Sequence, residues 1–245
     1  SAPIIAVRAG RPSAAPSHIE AGGLRLPVHL CKTEYFHTEQ DMTGERFGVP
    51  FVHHHSYSGG NVTASFDDYR ALGEKYKSAP ALIWSVLSNG GGNSNYPENF
   101  IRGLNREAVW VMDLAVVKNA LIGNADDNFK RYRLVDPDDV DIENLEYRGK
   151  LYVLQNKGVA SSGEAALCYA RCVKNVCFVG SASYGCGQYG ELIDYCLPNS
   201  KLRFHMGCKV FNINGFEEGK GLYPDYWLDS DDPIGELAEY IASNT

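Results

Sequence analysis

Apolar and polar positions alternate along the chain in a way that separates strands from helices. Val49–Tyr57 is rich in β-branched and aromatic residues and predicts a strand, broken at Ser58-Gly59-Gly60-Asn61. Phe66, Tyr69, Leu72 and Tyr76 recur at spacings of three and four, which predicts a helix over Phe66–Ser78. Ala79–Leu87 is a short, mostly apolar run, the signature of a strand covered on both faces. A glycine-rich loop, Ser88–Asn93, and a helix over Tyr96–Leu104 follow. Val109–Val117 is another apolar run, continued by a helical stretch to Ile122, and residues 124–148 read as a charged, Asp-rich surface excursion. Leu151–Gln155 and Val176–Val179 predict strands flanking a helix over Ser161–Lys174. Glu191–Ile213 reads as two or three antiparallel strands turning at Leu197-Pro198-Asn199-Ser200, and Pro233–Ala242 as a last helix. Strand–helix alternation up to about residue 180, then a β-rich run, predicts an α/β domain with a mixed sheet over residues 51–245. Residues 1–50 form an extended lead-in with one or two short strands around Leu26–Leu30.

Composition narrows the function. The 245 residues carry 44% hydrophobic and 22% charged side chains, ordinary for a globular chain, and a net charge of −7. No Lys/Arg run is interleaved with aromatics, so a nucleic-acid partner is not expected. No apolar stretch approaches the roughly 18 residues of a membrane span, and the N-terminus does not read as an intact signal peptide. The seven cysteines match no disulfide framework and include no CxxC pair, so most read as small buried hydrophobes.

Four features carry chemistry. Ser161 stands where the strand Leu151–Gln155 has ended and a helix begins. It reads either as an N-cap or as a nucleophile whose oxyanion would be met by helix N-terminal N–H groups. The glycines of Ser88–Asn93 allow close backbone approach to a ligand, as an oxyanion donor or a plain turn; no P-loop pattern is present. His53-His54-His55 would put His53 and His55 on one strand face and His54 on the other, serving as a base, a polar face or part of a metal site that lacks further ligands. Glu217 and Glu218 precede a glycine-rich turn and read as an exposed loop or as the carboxylate that orients a histidine.

Taken in order, these segments resemble peptidase family S41, the C-terminal-processing and tricorn-core peptidases. The strand into an Asn-Gly-Gly turn is Leu82–Asn93; the nucleophile motif is Ala160-Ser161-Ser162-Gly163-Glu164. A strand ending in Gly180 and an aromatic–Gly pair, Tyr184-Gly185, follow, then Leu197-Pro198-Asn199, then the closing motif Glu218–Asp225. The resemblance implies an αβ sandwich of the ClpP/crotonase type and a serine peptidase that forms an acyl-enzyme on Ser161. Where the processing branch carries its lysine base, this chain has Cys186, a poor substitute for an amine. The tricorn-like branch uses Ser, His and Glu, and Phe51-Val52-His53 and Glu218 fit its pattern, so the expected catalytic set is Ser161, His53 and Glu218, with His55 and then His54 as reserves. Backbone N–H groups of Ser162, Gly91 and Gly92 are the expected oxyanion hole.

The same resemblance implies a polypeptide substrate, no metal and no cofactor, and points to an exported protein. About 50 residues precede Phe51, too few for the PDZ module of many S41 members. Two other readings stay open: a hydrophobic-ligand or peptide-binding module on the same fold, and a small-molecule esterase or amidase. Asn61-Val62-Thr63 fits an N-glycosylation sequon, relevant only for a chain exported from a eukaryotic cell.

Overall fold

A computed structural model describes residues 18–21, 24–27, 41–58, 64–106, 108, 112–117, 146–213 and 216–244. The start of the lead-in, Cys31, the sequon at Asn61, the helical stretch to Ile122 and most of the Asp-rich excursion lie outside the described residues.

The chain divides into two compact units. The smaller comprises residues 1–35 and 194–206 and contains an antiparallel hairpin of β1 (His18–Ala21) and β2 (Leu24–Pro27).

The larger unit, residues 36–193 and 207–245, is built on one six-stranded sheet. After β2 the elements of the chain in order are β3 (Met42–Arg46), β4 (Val49–His53), α1 (Phe66–Tyr76), β5 (Ala81–Ser85), α2 (Asn95–Asn105), β6 (Met112–Val117), β7 (Lys150–Gln155), α3 (Ser162–Ala170), β8 (Val176–Gly180), β9 (Tyr189–Cys196), β10 (Arg203–Ile213), β11 (Tyr226–Trp227) and α4 (Pro233–Ser243). The sheet order is β11-β8-β7-β5-β4-β3, with every neighbouring pair parallel except β3–β4. Strands β6, β10 and β9 form a second, three-stranded sheet.

Both faces of the central strands are covered, which is why β5 and β7 read as continuous apolar runs. On one face Val52, Leu82, Trp84, Leu151 and Val153 pack with Tyr69 of α1, Phe100, Ile101 and Leu104 of α2, and Ala166 and Leu167 of α3. On the other, Phe51, Ile83 and Leu154 pack with Leu237, Ala238 and Ile241 of α4. Helices α1 and α2 meet through glycine: a Cβ at Gly73 or Gly103 would collide with the facing backbone. Helix α1 starts at a capping box, Ser65 N–H to Asp68 Oδ2 at 2.7 Å and Asp68 N–H to Ser65 Oγ at 3.2 Å.

Helix α3 ends at Ala170, short of the expected Lys174. The N–H groups of Arg171, Cys172 and Val173 donate three residues back, tightening the last turn. The cysteines Cys168, Cys172 and Cys177 are buried, as small hydrophobes. Among the described residues no helix is long and apolar enough to cross a membrane.

Parallel order has one consequence for function. The carboxyl ends of β4, β5, β7 and β8 lie along the same edge, and ligands of open α/β sheets bind outside that edge.

Candidate active site

The turn after β7 is held by side chains of its own. Asn156 Oδ1 accepts the N–H groups of Ser88 (2.9 Å) and Gly158 (3.0 Å), and the Ala160 N–H donates to the Asn89 carbonyl at 2.9 Å. Ser161 follows with φ 52° and ψ −118°, a left-handed conformation outside the ordinary serine basins. Such a backbone costs a non-glycine residue about 1–3 kcal/mol and persists where its surroundings fix it. A sharp strand-to-helix turn with a strained serine at its tip is the geometry that presents a nucleophilic Oγ. Ser161 is exposed and lines a cleft of about 820 Å³ together with Gly90, Gly92, Ser162 and Cys186.

The glycine loop after β5 lies against this turn. A Cβ on Gly91 (φ 103°) would sit 2.8 Å from Ser161 Cβ and 2.9 Å from Ser162 N, so only glycine fits. Ser162 Oγ–H donates to the Gly92 carbonyl at 2.7 Å and ties loop to helix. The three expected oxyanion donors are not equivalent. The Gly91 N–H donates to Asn89 Oδ1 at 3.0 Å and is already engaged. Among the described residues no intramolecular bond takes the N–H of Gly92 or of Ser162, the latter at the first turn of α3, where no helical acceptor exists. Both residues line the cleft beside Ser161. Asn89, fully buried, also donates from Nδ2 to the His54 carbonyl at 2.9 Å and so sets the loop against the end of β4.

Glu164 is the residue that the sequence quotes only as part of a motif. It is fully buried in the first turn of α3, and its carboxylate accepts four bonds. Oε1 takes Ser183 Oγ–H at 2.6 Å and Gly185 N–H at 2.7 Å; Oε2 takes Cys186 N–H at 2.9 Å and Ser161 N–H at 3.2 Å. One acceptor-only group thus fixes the Ser161 turn and the segment 183–186 together. Its spacing of three from Ser161 is the capping-box signal; the partners 19 to 22 residues away carry none.

Cys186 lines the Ser161 cleft. Burial and the nearby Glu164 charge push its thiol up to about 11, so it is a neutral thiol at pH 7. Glu218 accepts the Gln188 N–H at 2.9 Å. Burial raises its pKa, the Gln188 bond works against that, and the Glu164 charge adds to it.

The histidines go elsewhere. His53 ends β4 with Nδ1 2.8 Å from Ser85 Oγ, buried, and lines a separate pocket of about 240 Å³ with Phe51, Leu87 and Asp231. Burial lowers its pKa to about 4. His54 lies on the opposite side, fully buried among Tyr57, Tyr69, Trp84 and Phe100, with Trp84 Nε1–H donating to its Nδ1 at 3.0 Å. His55 follows with its ring centroid 6.4 Å from that of His53. No histidine lines the Ser161 cleft among the described residues. The structure therefore brings Ser161, Ser162, Gly91, Gly92 and Cys186 together, puts Glu218 on the Gln188 N–H outside the residues that line the cleft, and leaves His53 in its own pocket on Ser85.

The model of peptidase family S41 matches residues 49–228. Among solved structures, a candidate peptidase from Parabacteroides merdae aligns with a TM-score of 0.58 at 17% identity, over 86% of this chain and 67% of that one. A candidate S41 protease from Bacteroides fragilis gives 0.55 at 12%, over 93% and 63%. Mature CPAF complexed with lactacystin gives 0.57 at 12%, over 80% and 50%, so the chain spans between half and two thirds of the length of these proteins. No curated protein sequence matches it. The chain belongs to peptidase family S41 and so to the serine peptidases, a class of hydrolases, and its mixed, mostly parallel sheet is the fold of S41 proteases.

Proposed function

We propose that this S41 member hydrolyses polypeptides through an acyl-enzyme on Ser161. One observation carries the reading: a strained serine at the head of α3, with the N–H groups of Ser162 and Gly92, unpaired among the described residues, in the same cleft. Ser161 Oγ attacks the peptide carbonyl as a base removes its proton. The two N–H groups receive the oxyanion, a contribution of about 3–4 kcal/mol to the barrier per donor. The amine leaves with the proton, and water releases the acyl group in the same way.

His53 is assigned as the base and Glu218 as its orienting carboxylate, on the pattern Phe51-Val52-His53 and the motif Glu218–Asp225. A neutral imidazole is available at pH 7, since burial holds its pKa near 4. To act, the ring exchanges Ser85 Oγ for Ser161 Oγ, and apo catalytic bonds often form only with substrate bound.

Intact-mass labelling with a fluorophosphonate tests this. One adduct is expected on the native chain, absent from Ser161→Ala, and cleavage of an unfolded protein should be lost with it. Slowed labelling of His53→Ala supports the base. A folded native chain that neither labels nor cleaves overturns the nucleophile; undiminished labelling of His53→Ala overturns only the base.

A further inference from the structure

Helix α4 packs on β3, β4 and β5 and, through Leu237, Ala238 and Ile241, shares a buried cluster with Tyr152 and Leu154 of β7 and Cys177 and Val179 of β8. A groove of about 750 Å³ occupies the gap between β11 and α4. Its floor is apolar: Tyr152, Val179 and Leu237, each buried. Its walls are aromatic and unusually open, with Tyr226 68%, Trp227 66% and Tyr240 62% exposed. Glu236 and Glu239 line the same groove, and among the described residues neither carboxylate forms an ion pair.

Two observations give the occupant its charge. Between Gly221 and Thr245 the chain carries Asp225, Asp229, Asp231, Asp232, Glu236 and Glu239 and no Lys or Arg. At the groove's mouth the Lys150 ammonium stands 4.9 Å over the Tyr152 ring, so an aromatic of this groove already accepts a cation. One ammonium faces two carboxylates, leaving negative charge over. A third observation concerns form: β11 ends the sheet order, so among the described strands its outer edge is unpaired and open to an extended chain.

We propose that the groove between β11 and α4 is a docking site for an extended basic polypeptide, with an Arg or Lys side chain held between Tyr226, Trp227 and Tyr240 and the carboxylates of Glu236 and Glu239. The site lies on the α4 face of the sheet and does not depend on the chemistry at Ser161.

The test uses Ser161→Ala protein, so that nothing is cleaved, and fluorescence anisotropy with a labelled peptide alternating Thr and Arg. Its control is the same peptide with citrulline, which keeps the shape and removes the charge. The Arg peptide should bind about tenfold more tightly or better, and less so at high salt. Trp227→Ala and Glu236→Gln/Glu239→Gln should each weaken it by about three- to tenfold, whereas Tyr223→Ala, an exposed aromatic outside the groove, should not. Tyr240→Ala provides a second aromatic variant if Trp227→Ala melts early. Equal binding of the two peptides, or no binding, overturns the proposal. So does a loss confined to the Gln variants, which marks a diffuse acidic surface, or one confined to the aromatic variants, which removes the cation from the account.

Discussion

Glu164→Gln isolates the group that ties the Ser161 turn to the segment behind it. The substitution preserves shape and exchanges one acceptor oxygen for an NH₂ donor. If the NH₂ replaces Oε2, it confronts the N–H groups of Ser161 and Cys186; if it replaces Oε1, it confronts the Gly185 N–H, while Ser183 Oγ can turn to accept from it. Either way at least one backbone N–H loses its acceptor in a fully buried site, and a buried unsatisfied donor costs about 1–3 kcal/mol. Adding donor–donor repulsion, the expected loss is about 2–4 kcal/mol, or roughly 4–16 °C in Tm for a unit of this size.

Chemical denaturation followed by far-UV circular dichroism reads the stability, and fluorophosphonate labelling rate reads the site. Both should fall, because the same carboxylate holds Ser161 and the 183–186 segment. Coupling between Glu164→Gln and Ser183→Ala, 2.6 Å apart at the wild-type side chains, should be non-additive. A loss below about 0.5 kcal/mol, the range of an ordinary surface substitution, with an unchanged labelling rate would refute the assignment of Glu164 as the common anchor.

Further expectations follow from the same geometry. Gly91→Ala forces a Cβ to within 2.8 Å of Ser161 Cβ at φ 103°, and should lower kcat/KM about a hundredfold while the protein stays folded, as judged by its melting profile. Ser161→Gly and Ser161→Ala should both be inactive, but the glycine variant should be the more stable by about 1 kcal/mol in urea, since only it relaxes at φ 52° and ψ −118°. Stability should fall on acidification below pH 6.5. Burial lowers the folded pKa of His54 to about 3 and of His53 to about 4 against 6.5 unfolded, so the unfolded chain binds more protons in that window. Each histidine then removes up to about 1.4 kcal/mol per pH unit, and urea midpoints that stay level from pH 7 to 5 would contradict it.

What the sequence reveals is what is local. Strands β5 and β7 are visible as apolar runs because both their faces are buried, and α1 is visible because one face is. Strand β3, Met42–Arg46, is an edge strand with almost no buried side chain, so no alternation betrays it, and β11 has two residues. The same rule governs the site. Ser161, the glycines of 90–92 and Ser162 fall within short windows whose turn chemistry is readable; Gly90, Gly92, Ser161 and Ser162 line one cleft, and Gly91 packs against Ser161. The Glu164 anchor depends on bonds to Ser183, Gly185 and Cys186, and the loss of Gly91 as a donor depends on which way the Asn89 amide points. His53 shows the limit most sharply. Strand alternation sorts it correctly from His54, yet which side of the sheet each reaches is settled by the register of β4 on β5, which sets His53 beside Ser85 and binds their side chains together. A pattern identifies a residue able to take a proton from a serine; the fold decides which serine stands beside it, and for His53 that is Ser85.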